Sequence, residues 1–441
     1  MDAAGVHRTR GYRYELKINN KERALLSQCA GTSRFAWNWG LADRNARYHA
    51  NQGNERFTDA MKQHKHLNAL KPTEFPWMYN YSKCVPQEAL RDLKQAFTNF
   101  YQNRKDRQAG KTTRYVGFPK FKKKGKCKDS FRLTGTIRVF PATKQVQLPR
   151  LGKLRLKERP QLPSSARILS ATVSRTADRW YVAFQIVEEV PDSTPNGQPM
   201  VLGLDPGLSK FATFSNGLEL SNPKWLRTGE RKLRRLSRAV SRKQKGSKNR
   251  RKAVRRLARF HQRVSACRAD HHHKLSAYVT QNHGVVVTED LYIAGLAKNK
   301  RQAKSWADVA HGEFRRQLGY KSAWNGAHYV KVPRFYPSST LCSTCWYCHT
   351  DLTLKDRVFA CPMCGMTLDR DLNAVLNLEQ YYHSRVYLHP HYPVAGSLSE
   401  TLNACGEVVR PNGFRRTSRK QEISSNNDEY VINVYDRLRV V

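Results

Sequence analysis

Two short apolar runs, VLGL (201 to 204) and VVVT (285 to 288), each end directly on an acid, Asp205 and Glu289. Short continuous apolar runs of this kind fit buried strands. MVLGLD, KFATFS and VVVTED alternate with helical stretches, and the second half of the chain therefore reads as a mixed α/β domain. Sheets of that class present functional groups at the carboxyl ends of their strands, where both acids fall. A third acid, Asp371 in LDRDLNAVLNL, opens a helix. Taken singly, each has an ordinary role: Asp205 can start an Asp-Pro-Gly turn, Glu289 can be a solvated strand-end charge, and Asp371 can cap the helix beginning at Leu372. Together they supply what two magnesium ions about 3.5 to 4 Å apart require, hard oxygen ligands from separate segments.

The chain has ten cysteines, and its first residues, MDAAGVHRTRGYRYEL, lack the apolar core of a secretory signal. A reducing compartment is the expectation, with thiols in place of disulfides. Cys342 and Cys345 form one CxxC pair and Cys361 and Cys364 another, with fifteen residues between them. That spacing fits one structural zinc ion held by four thiolates, with no position left for substrate. Cys345 and Cys348 also form a CxxC, which keeps Cys348 open as a substitute for Cys342 or Cys345.

Charge names the partner class. The 79 Lys and Arg against 35 Asp and Glu leave a formal net charge of +44, which calls for a polyanion. With a mean hydropathy of −0.71 and no apolar run of the ~18 residues a membrane span needs, nucleic acid is favoured over a membrane. From Arg227 to Arg268 there are eighteen Lys or Arg and one acid, Glu230. Leu233, Leu236 and Val240, then Val254, Leu257 and Val264, run an apolar stripe through this charge. Two amphipathic helices joined near Lys245-Gly246-Ser247 are expected, with Arg242, Lys243, Lys245, Lys248, Arg250 and Arg251 as phosphate contacts.

The first half is different. Tyr12, Tyr14, Leu16 and Ile18 alternate with polar residues as a strand does, and residues 20 to 110 read as mainly helical, with a break near Gly31 and a second helix starting at Pro86. A basic loop over 111 to 127 supplies Lys120, Lys122, Lys123 and Lys124 as further candidate contacts. The pieces SFRLT, TIRVF, QVQLP, KLRLK, ILSATVSR and RWYVAFQIV suggest a small barrel completed by the strand near the N-terminus. The proline-rich 190 to 199 marks a linker, and from about Ser384 the chain reads as a disordered tail.

The motifs VLGLDPGLSKFATFSNG, VVVTEDLYIAGL, ADVAHGEFRRQLGYKSAW, FYPSSTLCSTC and DLTLKDRVFACPMCGMTLDRDLNAVLNL resemble the transposon-encoded TnpB family, related to Fanzor proteins and type V CRISPR effectors. The resemblance implies an RNA-guided DNA endonuclease making double-strand breaks beside a short target-adjacent motif. Its acids fall on Asp205, Glu289 and Asp371, the last chosen over Asp369 because it directly precedes Leu372-Asn373-Ala374. Its zinc ligands fall on Cys342, Cys345, Cys361 and Cys364, with Trp346 standing where a glycine usually follows. The implied architecture is a wedge-like β-barrel (1–19 and 128–195), an inserted helical recognition lobe with its basic loop (20–127) and a RuvC-like, ribonuclease H-like nuclease domain (196–337 and 366–384). A zinc-binding insertion (338–365) and a tail (385–441) complete it. A guide RNA derived from the transposon end and double-stranded target DNA are the implied partners of a monomeric protein. Its implied location is cytoplasmic or nucleoid-associated in a prokaryote and nuclear in a eukaryote. An inactive guide-directed repressor and a DNA-joining transposase are the alternatives.

Nucleic-acid binding is expected to weaken steeply with salt, by about 0.7 to 0.9 in the log-log slope for each neutralised phosphate. Filter binding across a salt series checks this, and a flat dependence refutes a phosphate-dominated interface.

Overall fold

The computed structural model describes residues 6–50, 59–112, 114–163, 165–190, 200–353 and 355–388. Most of the expected linker (191–199) and most of the expected tail (389–441) lie outside them. The chain divides into two compact units, Met1–Asp192 and Ser193–Val441.

The first unit runs β1 (Val6–Lys17), α1 (Asn20–Ala50), α2 (Ala60–Leu70), α3 (Cys84–Gln108), then β2 (Ser130–Leu133), β3 (Arg138–Phe140), β4 (Gln145–Leu148), β5 (Gly152–Leu156), β6 (Arg167–Thr176) and β7 (Arg179–Val190). A reciprocal pair starts α1: the Glu22 amide donates to Asn19 Oδ1 at 2.8 Å, and the Asn19 amide donates to Glu22 Oε2 at 2.7 Å. The break suggested near Gly31 is absent, and α1 is one helix of 31 residues. A glycine inside a helix costs about 1 kcal/mol. Burial of Leu26, Cys29 and Ala30 before it, and of Ala36, Trp37 and Leu41 after it, outweighs that cost. At Gly40 the glycine is used, since a Cβ there would stand 2.4 Å from Leu90 of α3.

The strands suggested as a small barrel form a seven-stranded sheet in the order β2-β6-β7-β1-β5-β4-β3. β1 carries the continuity, pairing with β7 from Val6 to Glu15 and with β5 at Leu16 and Lys17. The end strands β2 and β3 are not paired with each other in that order. One core gathers alternate residues of the strands, among them Leu16, Leu133, Val146, Leu154, Val173 and Phe184. Leu26 and Cys29 of α1 and Val85 of α3 enter the same core, so helices and sheet share their burial.

The second unit runs β8 (Val201–Pro206), β9 (Lys210–Phe214), β10 (Glu219–Ser221), α4 (Trp225–Thr228), α5 (Glu230–Ser241), α6 (Lys248–Asn282), β11 (Val285–Glu289), α7 (Ile293–Leu296), α8 (Ala303–Val309), α9 (His311–Asn325), β12 (His328–Val332), β13 (Val358–Ala360), β14 (Thr367–Asp369) and α10 (Arg370–Leu388). The tail boundary expected at 385 shifts, because α10 continues to Leu388. Its five-stranded sheet has the order β10-β9-β8-β11-β12, with β8, β11 and β12 parallel and β9 antiparallel to β8. Side chains alternate across it. Leu202, Leu204 and Val286 pack with Leu275 and Val279 of α6 and Phe314 and Leu318 of α9. Val201, Val285 and Val287 pack with Leu378 and Tyr382 of α10 on the opposite face.

Gly203 lies on the α10 face, and there a side chain is impossible. An added Cβ would stand 2.2 Å from the Val375 carbonyl oxygen, so the α10 backbone rests directly on β8. Gly203→Ala is expected to cost about 1 to 3 kcal/mol, the usual penalty of overpacking. A thermal melt without divalent cations checks this, and an unchanged melting temperature contradicts the contact.

Candidate functional site

Strand parity assembles the acids. Residues 201, 203 and 205 of β8 share a face, as do 285, 287 and 289 of β11, and both are the face that α10 covers. The register pairs Val285 with Val201 and Val287 with Gly203, which carries Asp205 and Glu289 to the same end of adjacent parallel strands. Asp371 sits in the first turn of α10. Burial, then the charges of Glu289 and Asp371, push the Asp205 carboxyl up to about 8, with Arg370 opposing. Burial also raises Glu289, against a hydrogen bond donated by the Ser338 hydroxyl.

Capping of α10 falls to Asp369, not Asp371. Asp369 Oδ1 accepts from the amides of Asp371 at 2.9 Å and Leu372 at 3.1 Å, which leaves the Asp371 carboxylate free for other work.

Several neighbours were not singled out in the sequence. His311, fully buried at the start of α9, donates from Nε2 to the Gly207 carbonyl at 2.7 Å and so fixes the turn that follows Asp205. Burial lowers its pKa to about 4 against that hydrogen bond, keeping the ring neutral. Lys210 pairs with Glu219 at 2.5 Å, within the field of Asp369 and Asp371. Asn373 and Asn377 are fully buried one turn apart on α10. Their only trace in the sequence is amide side chains among Ala374, Val375 and Leu378 on an otherwise apolar helix face.

The cysteines converge as the two-pair reading requires. The thiols of Cys342, Cys345, Cys361 and Cys364 all lie within 4.8 Å of one another, and Cys348 is outside the group. The Cys342–Cys364 and Cys345–Cys361 sulfurs are 3.7 and 3.5 Å apart. Zinc–sulfur bonds of ~2.3 Å in a tetrahedron give edges of ~3.8 Å, so this donor set suits structural zinc. Burial works to raise the Cys361 thiol, but the Cys364 and Met363 amides and neighbouring thiols more than offset it, bringing it to about 7.

The knuckles are twins. The Trp346 amide donates to the Cys342 carbonyl and the Gly365 amide to the Cys361 carbonyl, both at 3.0 Å. The Cys342 and Cys361 amides donate in turn to the carbonyls of Tyr347 and Met366, both at 2.8 Å. Trp346 (φ 64°) adopts the left-handed backbone that Gly365 (φ 72°) takes, so the knuckle keeps its shape at a strain of about 1 to 2 kcal/mol.

The basic candidates divide. Arg242, Lys243, Lys245, Lys248 and Arg251 are exposed and Arg250 is half-buried, around a joint where Gly246 has φ 86° and Ser247 caps α6. Lys120, Lys123 and Lys124 are exposed in the basic loop. Lys122 instead lays its ammonium over the Trp37 ring, 3.6 Å from the centroid, while its backbone amide donates to Asn38 Oδ1 and its carbonyl accepts from Asn38 Nδ2.

Family models match three stretches: "Probable transposase" over residues 184–300, "Cas12f1-like, TNB domain" over 311–378 and "Helix-turn-helix domain" over 8–53. The described part of 8–53 is β1 followed by the single helix α1. A Streptomyces pristinaespiralis protein named "Putative RNA-guided DNA endonuclease" is 32% identical over 419 residues, covering 94% of this chain and 96% of that one. This chain belongs to the TnpB family. "Putative RNA-guided DNA endonuclease InsQ" of Escherichia coli (strain K12) is 30% identical over 421 residues, covering 92% of this TnpB chain and 96% of its own length. Among solved structures, the "Cas12f1-sgRNA-target DNA complex" has a TM-score of 0.47 at 14% identity, covering 82% of this chain and 83% of that one. Among the described residues, no helix is long and apolar enough to cross a membrane.

The raised pKa of Asp205 sets a pH signature. The folded state binds this proton more tightly than the unfolded state does, so its contribution to stability is present below the ordinary aspartate value of 3.8 and is lost as pH rises through about 8. Without divalent cations, Asp205→Asn is expected to melt higher than the parent at pH 8, and the gap is expected to close towards pH 4. Melting curves across that range check it; a gap independent of pH contradicts the buried proton.

Proposed function

We propose that this TnpB-family chain is an RNA-guided DNA endonuclease that hydrolyses phosphodiester bonds with two magnesium ions. Its second unit is read as the RuvC-like nuclease with its zinc insertion, and its first as the wedge-like sheet with the helical recognition lobe. The observation that carries the reading is the shared electrostatic field of Asp205 and Glu289, at the carboxyl ends of two parallel strands, and Asp371, in the first turn of α10. A carboxyl held near 8 by burial and like charge ionises readily only beside cations, and three oxygen donors suit hard ones. Asp205, Glu289 and Asp371 would hold the magnesium ions, which supply acidification of the attacking water and neutralisation of the departing 3′ oxygen.

The rest of the chain's work is positioning. His311 and Ser338 fix the surroundings of Asp205 and Glu289. The exposed cations of α5, α6 and the basic loop meet backbone phosphates, which gives grip without sequence choice. Sequence choice falls to a bound guide RNA, whose pairing with one DNA strand supplies the information that backbone contacts lack. The names of the two curated relatives support the same assignment.

The description "Probable transposase" favours a second reading, DNA joining, because a similar acid triad serves transesterification. A repressor without cutting needs none of the three acids, and this chain has them all.

The protein copurified with its RNA and given a matching DNA duplex in magnesium is expected to make double-strand breaks that EDTA prevents. Asp205→Ala, Glu289→Ala and Asp371→Ala are each expected to abolish cutting while retaining RNA binding. Cleavage surviving in any of the three sinks the assignment, and joined rather than free DNA ends select the transposase.

A further inference from the structure

Between the acidic site and the cysteine knuckles runs a short stretch of chain that several hydrogen bonds tie to α10 and one ties to β11. Ser338 is 3% exposed, and its hydroxyl donates to Glu289 Oε1. Its carbonyl accepts from Asn377 Nδ2 at 2.8 Å. Three residues on, the Leu341 carbonyl accepts from Asn377 at 2.6 Å and from Asn373 at 2.7 Å. The next residues are Cys342, a member of the thiol group, and Ser343, whose amide donates to Asn373 Oδ1 at 3.0 Å and whose carbonyl accepts from Gln380 at 2.7 Å. The turn between is stiffened by the Thr340 and Leu341 amides, which donate to the Pro337 carbonyl at 3.1 and 3.0 Å.

Asn373, Asn377 and Gln380 thus form an amide stripe on α10, the helix whose first turn carries Asp371. Buried amides that only fill space carry a desolvation cost that a leucine avoids, so such a stripe is expected where it fixes a geometry. What it fixes is the path from the first knuckle to Ser338, and the Ser338 hydroxyl is the last link to Glu289. A hydrogen bond to an ionised carboxylate is stronger than one between neutral groups and selects one orientation of the acid.

We propose that Ser338 is a positioning residue for Glu289, and that Asn373 and Asn377 tie it to the cysteine knuckles, so that the four-thiol cluster and the acidic site form one mechanical unit. The proposal rests on reading the three acids as a divalent-cation site. Folding of the knuckles then sets the orientation of Glu289 as well as local stability, and loss of a thiol ligand is felt by the acids.

The full chain copurified with its RNA, with Mn2+ as the probe, tests this by electron paramagnetic resonance titration alongside zinc analysis. In the parent, part of the Mn2+ binding is expected to vanish in Asp205→Ala, and that part reports the acidic site. Ser338→Ala is expected to weaken it by about tenfold to a hundredfold, the usual cost of removing a partner that orients a ligand, with zinc content unchanged. Ser338→Thr, which keeps the hydroxyl, is expected to bind more tightly than Ser338→Ala. Cys364→Ser, altering the exposed thiol of the group, is expected to lower zinc content and Mn2+ affinity together. Ser338→Ala or Ser338→Thr with the opposite result overturns the positioning role, and zinc loss with Mn2+ affinity intact overturns the link to the knuckles. A parent without Asp205-dependent Mn2+ binding refutes the nuclease reading and this inference with it, whereas parent binding that Ser338→Ala leaves unchanged refutes the inference alone.

Discussion

The α10 backbone lies against β8 at Gly203, and the chemistry of the second unit follows from that contact. A helix packed on a sheet through side chains stands ~10 Å away, which weakens the field that a first-turn carboxylate exerts on a strand residue. Removing one side chain at the crossing lowers the helix onto the strand and brings Asp371 to bear on Asp205. The same face carries Val201, Val285 and Val287, so the burial that holds α10 down also fixes the side from which Asp205 and Glu289 emerge. Core packing and site assembly are therefore a single event.

That assembly works against stability. Burial and the like charges gathered beside it raise the Asp205 pKa, and the folded chain holds a proton there that it would release to solvent if unfolded. The opposing device is a set of fixed polar partners: Ser338 on Glu289, Asp369 as the helix cap, His311 on the Gly207 carbonyl. His311 suits its post because burial keeps it uncharged, so it holds the Gly207 carbonyl without adding a positive charge.

Much of this was legible in the residues, for identifiable reasons. Apolar runs of four residues ending on an acid specify both the strand and the end from which the acid projects, and period two then assigns the face. The paired CxxC spacing was equally direct, and the group that the thiols form takes in Cys342, Cys345, Cys361 and Cys364 and leaves Cys348 out. What escaped notice depends on contacts distant in sequence. Gly31 resembles a helix breaker until the burial of Leu26 and Trp37 on either side is known. Ser338, Asn377 and His311 are ordinary polar residues whose roles exist only once β11, α10 and the Gly207 turn stand beside them. Open and closed sheets also share one strand pattern, so the order β2-β6-β7-β1-β5-β4-β3 could not be read from periodicity.

Net charge is the feature most easily over-read. The value of +44 fixes the sign of the partner, but individual cations do different work. Lys122 belongs to the KFKKKGK run that marks the basic loop, yet its ammonium rests on Trp37 while its backbone holds Asn38, so it anchors the loop to α1. That anchoring leaves Lys120, Lys123 and Lys124 exposed at defined positions. On α6 the division follows the helix: Ala253 is the one buried residue before His272, so the N-terminal stretch is a solvated cationic rod and the C-terminal stretch is core. A polyanion attracted by the rod meets a helix whose far end packs against the sheet that carries Asp205 and Glu289.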